Sequence, residues 1–156
     1  MRTRLLFLSC LALLTLFATA CGGKAAAAEA EPDAGPVASK PVAVEDFASL
    51  VDALSADGAT VEQGIPIEQI FFTVPGQIVK VNGADVQVFE YETAEAMEAD
   101  TVQVSDDGGS IGTSMVTWVA TPHFYKAGLI LVLYIGDDQA ILDLLEGALG
   151  PRFAGR

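Results

Sequence analysis

The chain is predicted to fold as an α+β domain, one antiparallel sheet with helices packed on it. Three observations carry that expectation. Residues 129–135 read LILVLYI, seven apolar residues fenced by Gly128 and Gly136. Their length and their β-branched and aromatic content favour a strand, and a strand apolar on both faces is central and covered on both sides. Asn82-Gly83 divides two further β-rich runs, and this dipeptide is the strongest short-range signal of a two-residue hairpin. Apolar residues at helical spacing lie before and after the strands: Phe47, Leu50, Val51 and Leu54, then Ile141, Leu144, Leu145, Ala148 and Leu149.

Residues 1–20 have the pattern of an export signal. Arg2 and Arg4 form a basic start, residues 5–17 form an apolar run, and Ala18, Thr19 and Ala20 precede Cys21. The apolar run is short for a bilayer-spanning helix, and the small residues suit a signal peptidase pocket. An ordinary secretory signal with an incidental cysteine is the alternative. Ala18-Thr19-Ala20-Cys21, however, resembles the lipobox of bacterial lipoproteins, with Ala18 where leucine is more usual. That resemblance implies that Cys21 becomes the amino terminus, with a thioether-linked diacylglycerol and often an amide-linked acyl chain. Two or more chains anchor stably where one binds reversibly, each buried methylene contributing about 0.8 kcal/mol. The address implied is the cell membrane or outer membrane, facing outside the cytoplasm. Gly22 lacks the aspartate that often retains such proteins at an inner membrane, which favours the outer one in a two-membrane cell.

On this reading Cys10 leaves with the signal and Cys21 is capped by lipid, so no thiol remains for a disulfide, a nucleophile or a metal. Loss of Arg2 and Arg4 moves the formal net charge from −13 to −15. A domain this acidic has no basic footprint for nucleic acid or anionic headgroups. Residues 21–41 are the lipidated cysteine and a tether. Beyond Gly22 the tether has three prolines, no aromatic residue and only Val37 larger than alanine among its aliphatics, too little apolar surface to fold. Its coil span is about 25 Å. The globular domain is residues 42–156, long enough for one core without disulfides.

Within that domain the first helix takes Asp46 as its N-cap and stops at Gly58. Residues 59–63 suit a short strand before Gly64-Ile65-Pro66, and residues 70–91 a β-meander. Pro75-Gly76 has the residue order of a type II turn. A two-residue turn at Asn82-Gly83 pairs Val81 with Ala84, Lys80 with Asp85 and Val79 with Val86, setting a charge pair on one face and valines on the other. A one-residue bulge would exchange those faces. Residues 93–101 read as a helix with Thr93 as N-cap and Ala94 and Met97 inward, 105–110 as a loop, and 115–120 as a strand carrying Trp118. Residues 121–128 then connect to the central strand, and a last helix starts at Asp138 and ends at Gly150-Pro151. The order from Val86 onward is much of a ferredoxin-like unit, with the first helix and residues 59–63 as its completion.

Chemistry-bearing residues are few. His123 is the single histidine; as a base it needs a nucleophile and an orienting acid. Ser114 is near in sequence, yet GTSMV lacks the second glycine of a nucleophile elbow. The donor set excludes a nitrogen- or sulfur-rich zinc or copper site, and no cofactor motif is present. SDDGGSIG fails as a calcium loop, because Thr117 stands at the twelfth position from Asp106, and as a phosphate loop, because it lacks lysine. Glu90, Glu92, Glu95 and Glu98 read as solvent-facing acids. The remaining candidate is an aromatic binding surface of Trp118, His123, Phe124 and Tyr125, beside Lys126; the competing role for the same residues is to cap the end of a sheet.

FFTVPGQ, VNGADVQVFEY, SDDGGSIGT, PHFYKAGLILVLYIG and LEGALGPRFAG, with the tryptophan ahead of PHFYK, resemble a group of small uncharacterised bacterial lipoproteins. The resemblance spans nearly all of residues 42–156. It implies a lipid-anchored extracytoplasmic protein and brings no catalytic or ligand residue with it. The expectation is a non-catalytic binding or envelope-interaction module whose partner is a small molecule or an envelope protein. Two rivals stand beside it: a hydrolase using His123 with Ser114 or an acidic partner, and a structural homodimer whose central strand is covered by a second copy.

Overall fold

The computed structural model describes residues 43–156. Residues 1–20, Cys21 and the tether lie outside the described residues.

Helix α1 (Phe47–Ala56) opens with Asp46 as N-cap in a capping box with Ser49, and the turn that ends it carries Gly58 at φ +86°. Three strands follow as a meander: β1 (Val61–Ile67), β2 (Gly76–Val81) and β3 (Ala84–Glu90). Asn82 and Gly83 both take positive φ, as a type I′ turn requires. The register is the expected one, Val81↔Ala84, Lys80↔Asp85 and Val79↔Val86. Lys80 and Asp85 pair at 2.6 Å on the solvent side while the three valines are buried.

The chain then passes through α2 (Ala94–Thr101), capped by Thr93, and a small hairpin of β4 (Ser110–Ile111) and β5 (Ser114–Met115). It returns in β6 (Pro122–Ala127) and β7 (Ile130–Ile135), then α3 (Gln139–Leu149) and a two-residue β8 (Ala154–Gly155). Six strands form one sheet in the order β1-β2-β3-β7-β6-β8, every neighbouring pair antiparallel.

As expected, β7 is central and covered on both faces. Ile130, Val132 and Tyr134 meet α1 and α3, while Leu131 and Leu133 join Phe72, Met97, Val104 and Ile111 on the other side. Burial of each such side chain contributes roughly 1.5–3 kcal/mol. Leu142, which the helical pattern did not single out, is also buried in α3.

The order β3-β7-β6 is that of three ferredoxin-like strands, but the fourth place, beside β3, is taken by β2 rather than by the strand holding residues 59–63. The layering differs as well. Both crossovers, β3 to β6 through α2 and β7 to β8 through α3, step the same way across the sheet from antiparallel strands. Connections of one hand must then cross opposite faces, and α2 and α3 do lie on opposite faces.

Several local expectations are corrected. Pro75-Gly76 is no type II turn: Gly76 begins β2 without positive φ, and a Cβ there would stand 2.5 Å from the Phe89 ring. The first strand is longer than residues 59–63 and continues through an irregular register between Gln63 and Pro66. Ala94 is exposed, and Met97, Asp100 and Thr101 form the buried side of α2. Residues 115–120 are not a strand beyond Met115, because the outer edge of β6 is already taken by β8 (Phe124↔Ala154, His123↔Gly155). Residues 122–127, expected as a connection, are that strand β6. Proline is tolerated as a strand's first residue, and Gly128-Leu129 closes the hairpin to β7.

Candidate functional site

Consecutive strand residues point to opposite faces, and this separates the expected aromatic surface. Phe124 lies in the cluster beneath α2 and the small hairpin, whereas Tyr125 lies under α3; both are 0% exposed. His123 is 3% exposed and stacks on Tyr134 with ring centroids 6.1 Å apart. Trp118 meets Phe124 edge-on at 5.9 Å. The four residues therefore form no common surface. Trp118 and Phe124 belong to one side of the sheet, His123 and Tyr125 to the other.

His123 is engaged at both ring nitrogens. Nε2 lies 3.0 Å from the Gly136 carbonyl, which can only accept, so the proton resides on Nε2. Nδ1 then offers its lone pair to the Arg152 guanidinium, 3.4 Å away. Burial pushes the imidazole pKa below its ordinary value and Arg152 adds to that. The Gly136 carbonyl, Asp137 and Glu146 act in the opposite sense. A buried imidazole capped in this way has no free lone pair with which to take a proton from a nucleophile. Ser114 is exposed on β5, and among the described residues no hydrogen bond joins it to His123. Among the described residues the buried Tyr125 hydroxyl finds no hydrogen-bond partner, and burial raises its pKa.

On the other side, at the same end of the sheet, an open groove of about 420 Å³ runs past Trp118. Val116, Ala120 and Pro122 supply apolar wall, Thr117 and Thr121 hydroxyls, and Asp107, Asp137 and Arg156 charge. The indole is fixed: Nε1 donates to the Gly108 carbonyl at 2.7 Å. Gly108 takes φ +68°, and a Cβ there would stand 2.9 Å from the Phe124 ring, so only glycine lets this loop close on the sheet. Asp107 accepts from the Gly109 amide and the Ser105 hydroxyl, both at 2.9 Å, and those hydrogen bonds hold its carboxyl below the usual range. Arg156 approaches the same carboxylate at 3.5 Å.

The described residues carry eighteen acidic and four basic side chains. Lys80, Lys126 and Arg156 each face a carboxylate, Arg152 faces His123. The field favours a neutral or cationic guest over an anion. Among the described residues no group of three His, Cys, Asp or Glu could hold a metal ion. Glu90, Glu92, Glu95 and Glu98 are exposed, Glu98 in an ion pair with Lys126 at 2.6 Å.

One polar residue escaped the sequence altogether. Asp100, 1% exposed, accepts from the Thr73 amide at 2.7 Å, the Thr73 hydroxyl at 2.9 Å and the Tyr91 hydroxyl at 2.9 Å. It ties the loop of residues 68–75 to α2 with neutral donors alone, and burial followed by this carboxylate pushes the Tyr91 pKa far up. An aspartate late in a short polar helix carries no signal of burial. Only the neighbouring Met97 on the same face hinted that this side turns inward.

Compared with known proteins, the chain matches no family model, no curated protein and no solved structure.

Proposed function

We propose that this is a lipid-anchored, extracytoplasmic binding module without catalytic activity, and that the groove beside Trp118 is its binding seat. The observation that carries the reading is a contrast at one end of the sheet. The lone imidazole is buried with both nitrogens occupied, while the lone tryptophan is held rigid against an open groove. Fixed aromatic surface with a few converging polar groups is a common recipe for small-molecule recognition. The guest that suits it is a neutral or cationic small molecule, or an extended segment of an envelope protein of the same character. The lipobox-like residues at Cys21 support the anchoring.

The hydrolase alternative loses its base in this geometry. The homodimer alternative loses its premise, since the central strand is covered on both faces by its own chain.

Because Trp118 is the single tryptophan, its fluorescence reports on the groove without a label. Protein isolated from its host under native conditions should carry a bound molecule visible by native mass spectrometry, and its release should shift Trp118 emission. Substitution of the exposed Asp137 by alanine should weaken retention. A bound molecule whose release leaves Trp118 emission unchanged removes the groove as the seat. Hydrolysis that depends on His123 would restore the enzyme reading.

A further inference from the structure

We propose that His123 is an acid-sensitive latch on the C-terminal strap, residues 152–156, and that protonation of the imidazole releases the strap from the wall of the groove. The consequence for ligand access rests on the binding reading above; the latch itself does not.

Beside the Arg156–Asp107 ion pair, the packing of Phe153 on Phe124 and the burial of Ala154, the strap is held through its backbone. The Phe153 amide donates to Phe124 O at 2.9 Å, Gly155 to Asp106 O at 2.9 Å, and Arg156 to Pro122 O at 3.3 Å. Among the described residues its ladder partners are His123 and Phe124. An element fastened by two ladder pairs opens locally at far lower cost than the sheet it rests on. His123 touches it twice, through the backbone opposite Gly155 and through Nδ1 at Arg152, 3.4 Å away.

In the neutral ring the Nε2 proton is committed to Gly136, so Nδ1 accepts from Arg152. A second proton must go on Nδ1. It sets donor against donor and cation against cation at the same contact. The charged and titratable groups that face the ring are Arg152 on the strap, Asp137 after β7, Glu146 on α3, and Tyr125 and Tyr134 on the strands. The two carboxylates offset part of the repulsion, but Arg152 alone stands at hydrogen-bonding distance and the ring is buried.

The sign follows. Burial, with Arg152 adding to it, lowers the imidazole pKa in the closed state, so an opened strap binds the proton more readily. Closure is fully favoured above the ordinary imidazole value of 6.5 and weakens as pH falls below it. Opening withdraws Arg156 from the groove and breaks the Gly155 tie to the 106–109 loop, which carries Asp107.

Amide hydrogen exchange of the full-length chain in detergent micelles tests this directly. Corrected for intrinsic rates, protection of the Phe153 and Gly155 amides should fall about fivefold or more between about pH 7.5 and about pH 5, while β7 amides hold. In Arg152→Gln, which keeps a donor for Nδ1 but no charge, the fall should become smaller, leaving the part that burial of the ring causes. Equal protection of the wild-type strap at the two pH values overturns the latch. So does an undiminished fall in Arg152→Gln, or a swing of Arg152 that leaves the strap amides protected. Exchange is read without ligand, so failure here leaves the groove reading untouched, and an empty groove leaves the latch standing.

Discussion

The two faces of the sheet are covered by different means. Under α1 and α3 the core is mainly aliphatic, Leu50, Leu54, Ile141, Leu142 and Leu145 against Val79, Val81, Val86 and Val132, with Tyr125 and Tyr134 its buried aromatic members. Under α2, the 68–75 loop and the small hairpin it is richer in aromatic groups: Phe72 edge-on to Phe89 at 4.7 Å, Phe124 between Trp118 and Phe153. That second cover is pinned by side-chain hydrogen bonds from Asp100 and Trp118. Among the described residues, the large apolar side chains most exposed to solvent include Ile70, Val102 and Met115 on this cover and Val119 just after its hairpin. Regular helices close a face by periodicity. An irregular cover needs individual polar pins, and it leaves edges on which a groove can form.

The largest expected effects fall equally on both faces, because β7 makes them one cooperative core. Leu145→Ala should lower unfolding stability by about 2–5 kcal/mol and Phe89→Ala by about 3–5 kcal/mol, read by chemical denaturation. A much smaller loss from Phe89→Ala would mean that the irregular cover folds as a separate, weaker unit. Next comes the pin. Asp100→Ala orphans a buried Tyr91 hydroxyl and the Thr73 amide and should cost about 1–3 kcal/mol for each group left unsatisfied. Proteolysis should then begin in the 68–75 loop and spare α3. Thr93→Ala removes only the α2 cap and should cost about 1 kcal/mol by the same denaturation measurement.

The difference between the faces also decides how much of the molecule could be read from its residues. The helical face was legible because Phe47 to Leu54 and Ile141 to Leu149 repeat at helical spacing, and because Asn82-Gly83 fixes the hairpin register. The irregular face was not. Its strand β6 mixes His123 and Lys126 with aromatics and opens with Pro122, so no alternation stands out although both faces are buried. Residues 115–120 look like a strand, but the outer edge of β6 is taken by β8, and Val119 is left 98% exposed. Of the candidate site, Trp118 was recognisable as an unusual residue in a connection. The groove around it depends on Asp107, Asp137 and Arg156, which meet only through the return of the C-terminal strap. Local pattern contains no trace of such a long-range meeting.

His123→Ala sharpens the contrast at the smallest scale. Removing the ring should loosen the strap and lower stability modestly. The proposed anchoring rests on Cys21, and its most direct test is the intact mass of the chain isolated from its host. The expected species lacks residues 1–20 and begins at a Cys21 that carries the mass of a diacylglycerol thioether. A mature chain that retains residues 1–20, or a Cys21 that reacts as a free thiol, contradicts the anchoring and the extracytoplasmic address built on it.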